Sequence, residues 1–269
     1  MSDHRNMDEV LVIGGGPAGS AAACLLARLG HRVTLLTRPH RHTLAESLPP
    51  SAARILDELA LLETVERGGF YSSRGNTVWW GTDPMRVESF AAGTHGWQVE
   101  RPRLDRLLLD QAAAAGVAVE QSAVREVALD GDRVTVTHET GSGLEVRPAR
   151  WVLDCSGRGG VLARRGFRRP AEGQATLALY ALWQSNDWDF PDETHTVVES
   201  FHDGWAWSVP VSRQERYVTA MIDAGSRPAR DRGSLAEPYL AALRKTRHLS
   251  ERLEQATMVR PPQGLSAAP

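Results

Sequence analysis

Gly14, Gly16 and Gly19 stand in the spacing G-x-G-x-x-G within the run Gly14-Gly15-Gly16-Pro17-Ala18-Gly19. In such a run the first glycine makes a tight turn and the second clears a side chain from the path of a diphosphate. The third lets a helix pack closely on a strand, and unpaired N–H groups at the helix start face the anion. Gly14, Gly16, Pro17, Ala18 and Gly19 are therefore candidate contacts for a dinucleotide. A carboxylate about 20 residues into such a unit ordinarily accepts the ribose hydroxyls. Thr37 holds that position here, and Arg38 beside it is a candidate contact for adenine or a phosphate. A second constellation is Gly204-Trp205-Ala206-Trp207-Ser208-Val209-Pro210. Alternation along a strand would put Trp205 and Trp207 on one side and Ala206 and Ser208 on the other. The two indoles could then wall a substrate site or simply fill a domain core.

These residues need elements to place them. The apolar run ending at Ile13, the glycine turn, the Ala/Leu-rich stretch 20–29 and the run 32–36 read as strand, turn, helix, strand, the start of a βαβ unit. Glu46-Ser47-Leu48-Pro49-Pro50 reads as a shaped loop, because consecutive prolines remove two ladder donors. Arg101-Pro102-Arg103 opens a helix, with Pro102 in its first turn. Residues 124–129 and 134–138 flank Asp130-Gly131-Asp132 as a hairpin, followed by a short strand at 144–146. A separate strand, 151–154, runs into a second glycine-rich exit, Asp154-Cys155-Ser156-Gly157. From about Gly173 onward strands dominate, then a helix over 234–245 and a breaker-rich end at Pro261-Pro262. The expected fold class is α/β: a Rossmann-like nucleotide-binding domain (8–70 and 96–172) interleaved with a mostly antiparallel β-sheet substrate domain (71–95 and 173–269).

Composition removes other classes. The 269 residues carry a net charge of -2, so nothing draws the chain broadly to nucleic acid. The arginines at 158, 164, 165, 168 and 169 have only Phe167 among them for stacking. Two cysteines exclude a disulfide scaffold, and neither C-x-x-C nor H-E-x-x-H spacing occurs, so no metal site is expected. No apolar run reaches membrane-spanning length, and the opening lacks a signal-peptide core; the expectation is a cytoplasmic protein with no integral membrane segment. Of 31 basic residues only Lys245 is a lysine, so amine chemistry has one candidate.

Taken together, the glycine fingerprint, Glu46 to Pro50, the region Arg101 to Asp105 and Asp154 to Gly157 resemble the FAD-dependent oxidoreductases of the glutathione-reductase-like fold. The branch is that of tryptophan halogenase-like proteins and aromatic hydroxylases, near flavoproteins that mature quinone-cofactor oxidases. The resemblance implies FAD as cofactor, with Gly14, Gly16 and Gly19 at its diphosphate, Arg101 near the dinucleotide, and Asp154 and Gly157 at a second FAD-contacting strand exit. Glu46 and Ser47 join the candidate cofactor contacts, with a cap or solvent-loop role as the alternative for Glu46 and an ordinary turn role for Ser47. Trp205 and Trp207 match the W-x-W-x-[IV]-P signature of that branch and would stand between flavin and substrate.

The implied function is oxidation or monooxygenation of a small aromatic or amino acid side-chain substrate, including one within a protein. Electrons would come from NAD(P)H or a separate flavin reductase. Three alternatives stand beside it: a flavin-dependent halogenase, a geranylgeranyl reductase-like enzyme, and a non-catalytic flavin-binding or interaction module. In the resembling halogenases a lysine in the segment matching Gly69 to Trp80 handles hypohalous acid; this segment has none, and Arg74 does not readily deprotonate to an amine. The expectation therefore ranks oxygenation above halogenation. No Gly-Asp pair follows Pro210, where full-length members of the branch have one, so the sequence is expected to be a piece of a longer chain.

Overall fold

The computed structural model describes residues 8–38, 44–131, 133–166, 176–223 and 234–266. Phe167, Arg168 and Arg169 of the arginine cluster lie outside them. Strand β1 (Asp8–Ile13) passes through the glycine turn into α1 (Pro17–Arg28) and β2 (Val33–Thr37). There follow β3 (Ala45–Leu48), α2 (Ala52–Glu58), α3 (Leu62–Glu66), β4 (Tyr71–Ser73), β5 (Gly75–Trp79), β6 (Arg86–Ser89) and β7 (Gly96–Glu100). Next come α4 (Arg101–Ala114), β8 (Ala118–Gln121), β9 (Val124–Asp130), β10 (Arg133–Thr140) and β11 (Gly143–Asp154). The last described elements are β12 (Thr176–Gln184), β13 (Thr196–Phe201), β14 (Gly204–Pro210), β15 (Glu215–Asp223), α5 (Ala236–Leu243), α6 (His248–Leu253) and β16 (Thr257–Ser266).

The chain forms two compact units, each built from separated stretches of sequence: Met1–Thr43, Arg54–Gly68 and Pro102–Pro170 in one, Leu44–Ala53, Gly69–Arg101 and Ala171–Pro269 in the other. The first holds a six-stranded sheet in the order β8-β2-β1-β11-β10-β9. Its β8, β2, β1 and the end of β11 run parallel, as the βαβ reading requires, and β9 to β11 run antiparallel. Leu11, Ile13, Leu36, Val127, Val136 and Ala149 form a buried cluster across it. The two strands expected at 144–146 and 151–154 are one continuous β11, which crosses Pro148. The parallel partner of β11 begins only at Ala149, opposite Asp8, so the N–H missing at Pro148 is not wanted by β1.

The second unit holds a seven-stranded sheet, β16-β12-β15-β14-β13-β5-β6, antiparallel except where β13 pairs with β5, and a three-stranded antiparallel sheet, β3-β7-β4. The mixed α/β class is as expected, with the antiparallel sheets in this unit. Two local expectations are corrected. Glu46 to Leu48 is not loop but an edge strand that ends where the prolines begin. Residues 257–266 are not an irregular end: β16 runs through Pro261 and Pro262, on the sheet edge and at a register shift opposite Tyr180 and Leu182, where missing donors do least harm.

One face of the larger sheet is covered by α5 and α6, through Leu179, Ala181, Val197, Ala206, Val218, Tyr239, Leu243 and Leu249. Buried Glu199 on β13 fixes α6, accepting the N–H groups of Arg247, His248 and Leu249 at 2.6, 2.9 and 2.8 Å. Three donors at a helix start are thus satisfied by one carboxylate. Glu199→Ala is expected to cost about 1–3 kcal/mol in urea unfolding, the penalty for stranding buried donors. An unchanged midpoint would show that the cap is dispensable.

Candidate functional site

The glycine turn has the close approaches that its spacing implies. Gly14 lies at φ +105°, donates its N–H to Leu36 O at 2.8 Å, and has its Cα so near β11 that an added Cβ would sit 2.4 Å from Cys155 O. An added Cβ on Gly19 would lie 1.8 Å from Gly14 O. Gly16 is extended, at φ -78° and ψ -175°, and caps α1 without a side chain; Pro17 opens the helix, Ala18 is exposed, and no acidic residue occupies the first turn. The N–H groups of that turn have no intrahelical acceptor and no local negative charge to compete for them, so these residues fit the diphosphate of a dinucleotide.

Thr37 ends β2 buried, its side chain against Gly15: a Cβ there would meet Thr37 Oγ1 at 2.4 Å. Arg38 next to it is exposed. On the neighbouring strand, Glu120 stands opposite Leu36 but is engaged by Arg147 at 2.7 Å. The ribose carboxylate usual for this fold is thus not supplied by the end of β2.

At the second exit, both oxygens of Asp154 serve its own loop. Oδ1 accepts from Ser156 N at 3.0 Å and Ser156 Oγ at 2.5 Å, and Oδ2 accepts from Leu162 N at 2.7 Å. Ser156 Oγ in turn accepts from Val161 N. Gly157, at φ +63°, begins the turn so organised. Burial favours protonation of Asp154, but the hydrogen bonds from Ser156 and the N–H groups of Leu162 and Ala163 outweigh it and hold the carboxyl below its ordinary range. A depressed carboxyl stabilises the fold above its unfolded pKa, and that contribution is lost as pH falls through the lower folded value. Asp154→Asn is accordingly expected to be less stable at neutral pH and to show a shallower acid limb in urea unfolding measured from neutral to acid pH. Superimposable limbs would remove this role.

Glu46, Ser47 and Arg101 lie in the second unit. Arg101 Nη1 donates to Glu46 Oε1 at 2.8 Å, and Arg101 N to Leu44 O at 3.1 Å, tying β3 to the start of α4. Ser47 Oγ donates to Gln98 Oε1 at 2.5 Å and lies 2.6 Å from Thr196 Oγ1, while Gln98 Nε2 donates to Thr196 Oγ1 and Thr194 O. Ser47 is therefore a buttress between β3, β7 and β13.

The indoles stack. Trp205 and Trp207 have ring centroids 4.7 Å apart and planes at 28°, both half-buried, with Ala206 and Ser208 buried on the opposite face. Trp80, 48% exposed, extends the row, 6.4 Å from Trp205. Residue type did not reveal Trp80's part, since its place depends on β5 pairing beside β13. Beneath the segment Gly69 to Trp80 lies buried His195, its Nδ1 3.1 Å from Thr77 Oγ1 and its Nε2 3.6 Å from Asp192 Oδ2. Burial lowers the His195 pKa, with Arg216 in the same sense, against the opposing pull of Asp192. Lys245 is half-exposed, paired with Asp203 at 2.5 Å and set over the Phe201 ring. Among the described residues no group of three or more His, Cys, Asp or Glu could hold a metal ion, and no helix is long and apolar enough to cross a membrane.

Residues 7–259 match the FAD binding domain family. The chain is 32% identical over 227 residues to a tryptophan 2-halogenase of Chondromyces crocatus, covering 80% of this chain and 43% of that protein. Among solved structures it is similar to the flavin-dependent halogenase CmlS, with TM-score 0.88, 30% identity, and coverage of 98% of this chain and 50% of that one. A peptidyl tryptophan dihydroxylase essential for tryptophylquinone cofactor biogenesis shares the fold at TM-score 0.71 and 23% identity, over 97% of this chain and 56% of that one. The chain thus spans about half the length of the relatives it matches. The glycine cradle fits the diphosphate of FAD, the cofactor of this fold, and the chain belongs to the FAD binding domain family, among the FAD-dependent halogenase-like flavoproteins.

Proposed function

We propose that this chain serves an FAD-dependent oxidation of an aromatic ring, with oxygen insertion as the outcome and the substrate a small aromatic molecule or an aromatic side chain of a protein. Bound FAD would supply the reductive activation of molecular oxygen, with electrons from a separate flavin reductase or NAD(P)H. The residues in the described chain divide the remaining work. Gly14 makes the tight turn, Gly16 and Gly19 offer main-chain N–H groups to the diphosphate, and Asp154 shapes the loop at the neighbouring strand exit. Trp205 and Trp207, stacked on one another, present an apolar aromatic surface against which a ring would pack and from which water is kept.

The observation that carries oxygenation over halogenation is the segment Gly69 to Trp80: it is folded into β4 and β5 with no amine in it, and the lone lysine is engaged by Asp203 elsewhere. Halogenation is the second reading, favoured by the halogenase relatives. The deciding experiment supplies the enzyme with FAD, a flavin reductase, saturating bromide and isotopically heavy oxygen, and follows tryptophan, indole and tryptophan-containing peptides by mass spectrometry. Heavy-oxygen incorporation without bromide supports the reading. Bromide-dependent mass gain would replace it with halogenation, and FAD reoxidation with no modified ring would remove both.

A further inference from the structure

We propose that Trp207, Trp205 and Trp80 form a conduction path that carries an oxidising hole, one electron at a time, from the half-buried indole wall to the solvent edge of the seven-stranded sheet. This goes beyond the ring chemistry proposed above and does not depend on which ring is modified.

The three rings are contiguous, with centroid spacings of 4.7 and 6.4 Å, and among the described residues they are the only indoles in ring contact with one another. Exposure rises along the row, from half-buried Trp207 and Trp205 to Trp80 at 48%. The outer end is held in place: Gly81 N donates to Ser200 Oγ at 2.7 Å, and Ser200 is the direct neighbour of Trp205 across β13 and β14. On the other flank of Trp205, across β15, stands Met221, whose polarizable thioether suits a transient positive charge nearby. The stack itself favours such a charge, since the face of one indole attracts a cation on the next.

The electron count is simple. A small inorganic radical takes one electron from Trp207 and is reduced, leaving a radical cation. One electron moves from Trp205 to Trp207 and one from Trp80 to Trp205, which places the radical cation on Trp80. There the indole N–H releases its proton to water, and a thiol or ascorbate in solution returns one electron, itself oxidised by one, as the nitrogen is reprotonated. The wall is restored, and the damage is displaced to a reductant at the surface.

The test uses azide radicals, generated radiolytically around the full chain without FAD or substrate, and maps oxidised tryptophans by peptide mass spectrometry. Trp151, 60% exposed and in ring contact with no other indole among the described residues, reports direct attack. The expected result is oxidation at Trp80 severalfold above Trp151 despite its lower exposure, with Trp207 spared. In Trp205→Phe the path is cut, so the Trp80 excess disappears and Trp207 oxidation rises severalfold. Trp80→Phe, a change at an exposed site, should shift oxidation back onto Trp205 and Trp207. Yields that follow exposure in the unsubstituted chain, or that are unmoved by both substitutions, overturn the proposal. Neither FAD nor turnover enters the measurement, so its failure leaves the ring-oxidation reading to its own test.

Discussion

A Gly19→Ala chain is expected to emerge from purification without FAD. The added Cβ would stand 1.8 Å from Gly14 O, a main-chain atom that cannot rotate aside. Gly14 has no room to retreat, since it lies at φ +105° against Cys155 O and its N–H is bonded to Leu36 O. Relief requires α1 to lift away from β1, which takes its first-turn N–H groups out of line with a diphosphate. Overpacking of this kind costs about 1–3 kcal/mol and occasionally more. With lost diphosphate hydrogen bonds added, the affinity for FAD should fall about a hundredfold or more, each tenfold being about 1.4 kcal/mol. The flavin-to-protein absorbance ratio and a calorimetric titration measure it. Gly30→Ala is the control: it too has positive φ, +91°, but an added Cβ meets nothing within 4 Å. It should lose some stability through backbone strain and keep its FAD. Stoichiometric FAD in Gly19→Ala would mean that the turn is more yielding than its geometry.

The largest stability effect is expected at Arg216. Its guanidinium is fully buried, donating to Ser208 Oγ at 2.8 Å, Glu193 O at 2.9 Å, His195 O at 2.6 Å and Ser208 O at 3.3 Å, and lying over the rings of Phe190 and Trp188. Burial draws its pKa down to about 9, while Tyr71, Glu193 and Asp192 oppose the fall, so the group stays cationic at neutral pH. Removing it strands main-chain carbonyls of the β13 approach and opens a void over the Phe190 and Trp188 rings. Arg216→Ala should cost about 3–5 kcal/mol, the range for breaking a buried charged network. Arg216→Lys should recover little, because a point charge cannot match the planar fork or its packing over the aromatic rings. Urea unfolding gives the number, and a loss below about 1 kcal/mol, the scale of an exposed pair, would show that Arg216 is easily replaced.

Residue spacing made the dinucleotide half of the site legible. G-x-G-x-x-G imposes its requirement locally, so Gly14 could be read as the tight turn and Gly19 as the close approach of helix to strand before any fold was known. Alternation made the pairing of Trp205 with Trp207 legible for the same reason: both requirements lie within a few residues. What escaped was long-range. Arg216 looks like any arginine until its acceptors are known, and three of the four are main-chain carbonyls and the fourth a serine hydroxyl, with no signature of their own. His195 and Thr77 meet across 118 residues, Ser47 and Thr196 across 149. Prolines misled in a different way. Their missing donor argues against a strand only where a neighbour asks for that hydrogen bond, and at Pro148, Pro261 and Pro262 the asking strand is late, shifted or absent. Asp154 was legible as a turn residue, but not as one whose two oxygens are spent on its own loop.

The parallel pairing of β5 with β13 has a consequence during synthesis. Asn76 lies beside Thr196, about 120 residues further along the chain. At translation rates of about 5–20 residues per second, the partner of β5 emerges on the order of ten seconds after β5 itself. Throughout that interval Trp79, Trp80 and the short β6 are on an unfinished sheet, even though β1, β2, β8 and β11 can already assemble once β11 is made. The nascent chain therefore passes through a stage with one near-complete sheet and a dangling aromatic hairpin. That stage, rather than the finished fold, is where a holding chaperone would matter most to this protein's yield.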